Sequence, residues 1–194
     1  KGDIDANAFQ HKPYLDQQIK DRGYKLVAAG NTFVYPIAGY SKKIKSLDEL
    51  QDGAQVAVPN DPTNLGRSLL LLQKVGLIKL KDGVGLLPTS LDIVGNPKNL
   101  KIVELEAPQL PRSLDDAQIA LAVINTTYAS QINLTPAKDG IFVEDKDSPY
   151  VNLIVTREDN KDAENVKKFV QAYQSDEVNA AANKVFNGGA VKGW

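Results

Sequence analysis

The chain has 194 residues, 42% of them hydrophobic and 24% charged, a globular composition long enough for one large domain or two lobes. A net charge of -1 gives no basic footprint for nucleic acid, and the absence of cysteine excludes disulfides and thiolate metal sites. No apolar run approaches membrane-spanning length, and the start at Lys1 does not have the pattern of a signal peptide. Because the chain contains no methionine, we expect a processed or shortened form of a longer protein.

Helix and strand patterns alternate along the chain. Strands are predicted at residues 25–29, 55–58, 99–104, 119–124 and 149–155, with an extended segment within 31–40. Helices are predicted from Pro13 to a stop at Gly23, at 46–50, from Asp61 to near Gly76, from Ser113, at 128–132 (or a turn), at 162–174 and from Ser175 through Phe186. A tail is expected after Gly189. This alternation predicts an α/β fold with mostly parallel sheets.

The junction from Pro59 to Ser68 carries a candidate ligand site. Asp61-Pro62 is typical of a helix start, because Asp can cap free backbone N–H groups and Pro tolerates the first helical position. Arg67 then lies near the positive end of this helix, where N–H groups and a guanidinium can hold one carboxylate or phosphate. Taken alone, the pattern also fits a solvent-exposed arginine without a ligand.

Two asparagines lie at or near the ends of apolar strands. Asn125 follows the run 119–124, and Asn152 lies within the strand predicted at 149–155. Open α/β sheets bind ligands beyond the carboxyl ends of their strands, and an amide offers both a donor and an acceptor to a zwitterion. Capping of local backbone groups by both side chains is the alternative, and the local pattern does not decide between them.

Signals for catalysis, metal binding or nucleotide cofactors are missing from the sequence. His11 is the single histidine, and neither a Gly-x-Ser-x-Gly elbow nor a cluster with metal-ligand spacing accompanies it. The pairs Asp115-Asp116 and Glu144-Asp145 are typical of a helix start and a loop. Phosphate-binding and dinucleotide fingerprints are incomplete, so no cofactor and no metal are expected. The default role for His11 is therefore a structural one.

Four stretches together resemble a known family. Residues 2–15 (GDIDANAFQHKPYL), 58–67 (VPNDPTNLGR), 122–125 (AVIN) and 150–152 (YVN) closely resemble the methionine-binding lipoproteins, called MetQ or NlpA lipoproteins, and in particular their enterobacterial members. The resemblance runs through the whole chain in order. It implies a two-lobed, periplasmic-binding-protein-like fold with two hinge crossovers, the first lobe at about 1–40 and 153–194 and the second at 41–152.

The resemblance also implies roles for particular residues. Arg67 would hold the ligand carboxylate, and Asn125 and Asn152 the rest of the amino-acid head group. His11 and Tyr14 would line the pocket for the ligand side chain, and Phe9 and Tyr35 are expected to add to its apolar wall.

The implied function is binding of methionine in a cleft between the lobes and its delivery to a membrane ABC transporter, made of a permease and an ATPase. Members carry a signal peptide, a lipidated cysteine that anchors them on the periplasmic side of the inner membrane, and a strand–helix–strand upstream. Since these are missing here, we expect an N-terminally truncated chain whose first lobe is incomplete. Alternatives are a binding protein for another apolar amino acid or a methionine-containing dipeptide, or an enzyme on the same fold.

Overall fold

The computed structural model describes residues 1–194 as eleven strands and seven α-helices. The strands are β1 (Ala6–Asn7), β2 (Leu26–Val34), β3 (Ala38–Tyr40), β4 (Gln55–Pro59), β5 (Lys79–Leu80), β6 (Ile93–Gly95), β7 (Lys101–Leu105), β8 (Ile119–Ile124), β9 (Phe142–Val143), β10 (Val151–Arg157) and β11 (Val191–Lys192). The helices are α1 (Lys12–Arg22), α2 (Pro62–Lys74), α3 (Leu110–Ser113), α4 (Thr126–Ala129), α5 (Pro136–Asp139), α6 (Glu164–Tyr173) and α7 (Asp176–Val185). Short 3-10 helices lie at Leu47–Glu49, Ser90–Asp92, Ala107–Gln109 and Ser130–Ile132. No helix is both long enough and apolar enough to cross a membrane.

The chain forms two compact units. Unit 1 comprises Lys1–Pro36 and Asp145–Trp194, and unit 2 is the continuous segment Ile37–Glu144. The sequence analysis expected these boundaries after residues 40 and 152. In the structure they follow residues 36 and 144. Strand β3 pairs with β8 and β9 in the sheet of unit 2, whereas β10 begins at Val151 and pairs with β2 in unit 1. Strand pairing, which local patterns do not reveal, sets the boundary in each case.

Unit 1 is built on an antiparallel sheet with the strand order β1-β10-β2-β11. Its long central pair joins Val151 to Val34 at one end and Arg157 to Leu26 at the other. Helix α1 packs Leu15 onto Leu153 and Val155, and the C-terminal helices contribute to an aromatic cluster around Phe33. As predicted, α1 ends at Gly23, whose φ of 66° is the left-handed conformation that suits glycine.

Unit 2 is built on a five-stranded sheet with the order β7-β4-β8-β3-β9. Strand β4 runs parallel to β7 and β8, while β3 is antiparallel to β8 and β9. The apolar run of β8 is buried at five of its six positions, as expected for a strand covered on both faces. Helix α2 packs Leu65, Leu69 and Leu72 into the largest apolar cluster of this unit.

Three predictions about secondary structure were wrong. The sheets are not mostly parallel, because only the pairs that β4 makes are parallel. Ser113 ends α3 instead of beginning a helix, since Leu110-Pro111 starts the helix earlier and Ser113 Oγ donates back to the Leu110 carbonyl. The expected C-terminal tail contains β11, which pairs with β2 through Val191 and Lys192.

Candidate functional site

The start of α2 matches the predicted junction. The carboxylate of Asp61 accepts a hydrogen bond from the backbone N–H of Asn64 at 3.1 Å, and Pro62 is the first helical residue. Helix α2 is buried along most of its surface, because the residues from Thr63 to Leu69 are all buried. Arg67 lies on its second turn with only 3% of its side chain exposed. The interpretation of Arg67 as a solvent-exposed residue is therefore wrong.

A carboxylate of unit 2 pairs with Arg67. Arg67 Nε donates to Glu144 Oε1 at 2.9 Å and Nη2 to Oε2 at 2.5 Å, and the Glu144 side chain is 14% exposed. Oε2 also accepts from the backbone N–H of Ile37 at 3.2 Å. The sequence interpretation of Glu144 as a loop residue missed this pairing, because the two residues lie 77 positions apart and no local pattern joins them.

Asn125 is held by a second network on α2. Both oxygens of Asp61 accept from Asn64 Nδ2 at 3.0 Å, and Asn64 Oδ1 accepts from Asn125 Nδ2 at 3.1 Å. Asn125 occupies the cap position of α4, yet its side chain makes no capping hydrogen bond. Its other amide atom, Oδ1, is buried and has no hydrogen-bond partner. Local capping therefore does not explain this side chain.

In unit 1, the structure groups several predicted residues around His11. The buried His11 caps α1 by accepting from the Tyr14 backbone N–H at Nδ1, at 3.1 Å. Its ring meets Tyr150 edge-to-face with centroids 5.1 Å apart, and Tyr14 with centroids 6.1 Å apart. Backbone bridging sets His11 opposite Asn152. The capping role explains why the sequence could suggest only a structural histidine here.

Asn152 and Phe9 also belong to this group. Asn152 is buried, and its Nδ2 donates to the Phe9 carbonyl at 3.2 Å, a contact between residues 143 positions apart rather than a local cap. The Phe9 side chain is 64% exposed and lies edge-on to Tyr14, with centroids 6.0 Å apart. Tyr150, which the sequence analysis did not select, is 3% exposed and completes an aromatic setting for His11.

Tyr35 lies in a different aromatic cluster of unit 1. Its ring contacts Phe186 and Phe33 with centroids 5.0 and 6.0 Å apart, in the cluster that also contains Tyr173 and Trp194. Burial, together with Tyr173, raises the pKa of the Tyr35 phenol well above its ordinary value. The structure thus places Tyr35 with these rings, whereas Phe9, His11 and Tyr14 form their own group.

The predicted residues therefore lie in both units. Phe9, His11, Tyr14 and Asn152 lie together in unit 1, and Tyr35 belongs to a separate cluster of that unit. Unit 2 provides a guanidinium and an amide oxygen, which suit a carboxylate and a hydrogen-bond donor. Unit 1 provides aromatic rings, an imidazole and an amide. No set of three or more His, Asp or Glu residues is arranged to hold a metal ion.

A family model described as NlpA lipoprotein matches residues 1–194. The chain belongs to this family. It is 95% identical over 194 residues to the D-methionine-binding lipoprotein MetQ of Escherichia coli K12, covering 100% of this chain and 72% of that protein. The corresponding protein of Yersinia pestis is 89% identical over the same length. The resemblance found in the sequence is therefore confirmed.

Solved structures of family members have the same fold. The crystal structure of the methionine-binding protein MetQ superposes with a TM-score of 0.99 at 95% identity, covering 100% of this chain and 79% of that one. A nutrient-binding protein of Burkholderia cenocepacia, bound to methionine, gives 0.95 at 56% identity, with 100% and 80% covered. An ABC transporter periplasmic substrate-binding protein of Coxiella burnetii gives 0.94 at 51% identity, with 98% and 80% covered. These matches confirm the predicted α/β, periplasmic-binding-protein-like fold class.

Proposed function

We propose that this chain binds methionine and delivers it to a membrane ABC transporter for import. The observation that carries the proposal is the buried guanidinium of Arg67 at the start of α2, in the same unit as the unpaired amide oxygen of Asn125. These two groups suit the carboxylate and the ammonium of an α-amino acid. The relatives named for methionine, at up to 95% identity, support methionine as that amino acid.

Each candidate residue except Tyr35 has its own role in this proposal. Arg67 holds the ligand carboxylate, and Asn125 and Asn152 hold the remainder of the head group. Phe9, His11 and Tyr14 supply the surroundings of the side chain, where aromatic rings suit a polarizable thioether. Tyr35 packs with Phe33 and Phe186 instead and has no role in this proposal.

The protein acts as a binding protein and not as an enzyme in this proposal, and it needs no cofactor. Its partners are the permease and the ATPase of the importer. Its location is the periplasmic side of the bacterial inner membrane, where the lipid anchor of the full-length protein holds it. The family name and the transporter assignment of the Coxiella relative support this setting.

The ligand itself is the direct test. Purified protein is denatured and the released small molecules are weighed, and the refolded chain is then titrated calorimetrically with L- and D-methionine, other apolar amino acids and methionine-containing dipeptides. We expect methionine to be released and to bind most tightly. Tighter binding of another apolar amino acid or of a dipeptide would contradict methionine as the ligand, and turnover of a bound compound would contradict a pure binding role.

Replacement of Arg67 tests its role in this proposal. Arg67→Ala is expected to weaken methionine binding by at least about 2 kcal/mol, because the ligand carboxylate loses a charged, buried partner. The exposed Arg112 of unit 2 provides the control, and Arg112→Ala should leave the affinity unchanged. An unchanged affinity in Arg67→Ala would contradict the assignment.

A further inference from the structure

Asn64 joins the cap of α2 to Asn125. Its side-chain nitrogen lies 3.0 Å from each oxygen of the Asp61 carboxylate, and its side-chain oxygen accepts from Asn125 Nδ2 at 3.1 Å. Asn64 is 9% exposed, and its backbone N–H donates to the same carboxylate at 3.1 Å. Asn64 is thus fixed at both ends of its amide.

This chain of hydrogen bonds determines which way each amide faces. A carboxylate can only accept, so Asn64 must point its nitrogen at Asp61 and its oxygen at Asn125. Asn125 must then point its nitrogen at Asn64, and its oxygen faces away from this network. That oxygen is buried and has no partner within the protein. A buried acceptor without a partner lowers the stability of the protein. A bound molecule that donates a hydrogen bond to this oxygen would therefore gain affinity from it.

We propose that Asn64 is a positioning residue that turns the amide oxygen of Asn125 towards the ligand and thereby makes the site select for an ammonium group. The proposal rests on the proposed function, since it assumes that Arg67 holds the carboxylate of the same ligand. An ammonium donates a charge-assisted hydrogen bond to Asn125 Oδ1. A carboxylic acid without an amino group leaves that oxygen unpaired, and a site built around a hydrogen bond rejects such an analogue strongly.

The selection depends on Asn64 because the side-chain amide of Asn125 could otherwise rotate and exchange its oxygen and nitrogen. Without the oxygen of Asn64, rotation of the Asn125 side chain by half a turn would present its nitrogen instead. The ammonium would then face a donor, whereas a plain carboxylic acid would lose nothing. Removal of Asn64 is therefore expected to change the preference between two ligands, which a general loss of stability would not do.

The test compares methionine with 4-(methylsulfanyl)butanoate, which keeps the carboxylate and the thioether and lacks the amino group. Calorimetry on the wild-type chain is expected to show a strong preference for methionine. Asn64→Leu, which is close to asparagine in size, should narrow this preference by at least about tenfold, mainly through weaker methionine binding. Thr63→Val is the matched control, because Thr63 Oγ1 donates to the same Asp61 carboxylate at 3.1 Å, whereas the hydrogen bond to Asn125 comes from Asn64. It should keep the wild-type preference.

A second variant keeps the test valid if Asn64→Leu does not fold. Asn64→Ala also removes the amide oxygen that faces Asn125 and leaves a smaller side chain that cannot clash, so it should narrow the preference for methionine in the same direction. An unchanged preference in a folded Asn64→Leu or Asn64→Ala would overturn the inference, as would an equal narrowing in Thr63→Val. A wild-type chain that binds neither compound would overturn the proposed function as well, whereas one that binds methionine while both variants contradict the expectation overturns only the role of Asn64.

Discussion

Arg67 and Glu144 form a two-point ion pair within unit 2, with Arg67 almost fully buried. Two-point contact holds the planar guanidinium in one orientation, and the Ile37 N–H holds the carboxylate in turn. In the proposed site, Arg67 receives the ligand carboxylate, and its positive charge is therefore already balanced by Glu144. A ligand with no net charge, such as a zwitterionic amino acid, is compatible with that balance.

Removal of this carboxylate is expected to destabilise the fold. Glu144→Ala leaves a buried guanidinium without its acidic partner, so the free energy of unfolding of the ligand-free protein should fall by about 2 kcal/mol or more. Urea unfolding followed by circular dichroism measures it. The exposed pair of Lys42 and Asp115 is the comparison, and Asp115→Ala should produce no measurable change. Equal midpoints for the two variants would show that the Arg67 pair contributes little.

For single residues, the sequence predicted those positions that follow from a local helix or strand pattern. The position of Arg67 follows from the helix start at Asp61-Pro62, and that of Asn125 from the end of an apolar strand. Asn64 lay within the same motif, yet its role depends on a hydrogen bond to a residue 61 positions away. Glu144 likewise depends on a distant partner. Which candidate residues bind the ligand stays a prediction.

Helix α2 approaches a neighbouring loop closely at Gly66. A Cβ atom on Gly66 would lie 2.3 Å from the backbone oxygen of Leu86, well inside van der Waals contact. Since that neighbour is backbone, it cannot turn aside as a flexible side chain would. The helix can therefore lie at this depth only with glycine at position 66, and Arg67 is the next residue along the same helix.

Gly66→Ala is accordingly expected to destabilise the protein, although alanine normally favours a helix by about 1 kcal/mol over glycine. The clash with Leu86 should outweigh that gain and lower the free energy of unfolding by about 1 kcal/mol or more. Methionine binding should weaken too, since α2 must shift and carry Arg67 with it. Gln171→Ala, at an exposed position of α6, tests the helix preference alone and should be neutral or slightly stabilising. A stabilised Gly66→Ala would refute the close packing.

Elements with strong local signals were predicted well, and pairing between elements was not. The cap at Asp61, the stop at Gly23 and the cap at Ser175 are all where the sequence indicated. Alternation of helices and strands suggested parallel sheets, but β3 and β9 join the sheet of unit 2 antiparallel to their neighbours. Strand direction is decided by partners far along the chain, and β9 and β11 have two residues each, too few to form a pattern.

At the scale of the whole molecule, a partly buried tyrosine in unit 1 and a buried one in unit 2 make stability sensitive to alkaline pH. Burial raises the pKa of Tyr35 in unit 1 and of Tyr40 in unit 2. Each phenol loses its proton at a lower pH in the unfolded chain than in the folded one, so the unfolded state binds fewer protons above about pH 10. The free energy of unfolding should therefore fall as the pH rises through that range.

Urea unfolding between pH 8 and pH 11 measures this loss. Each tyrosine contributes at most about 1.4 kcal/mol per pH unit, and Tyr35→Phe should reduce the slope. The exposed Tyr24 serves as the control, and Tyr24→Phe should leave the slope unchanged. A flat profile up to pH 11 in the wild-type protein would contradict the effect of burial on these phenols.

The pairing of β3 with β9 also determines how the chain could be rearranged. Ile37 and Glu144, the first and last residues of unit 2, exchange backbone and side-chain hydrogen bonds at 2.9 and 3.2 Å. The unit thus behaves as an insertion whose two ends meet, the geometry that tolerates transplantation and circular permutation. A short turn in place of residues 37–144 would reconnect the remaining chain, and unit 2 could be grafted as a cassette between the same positions of a relative.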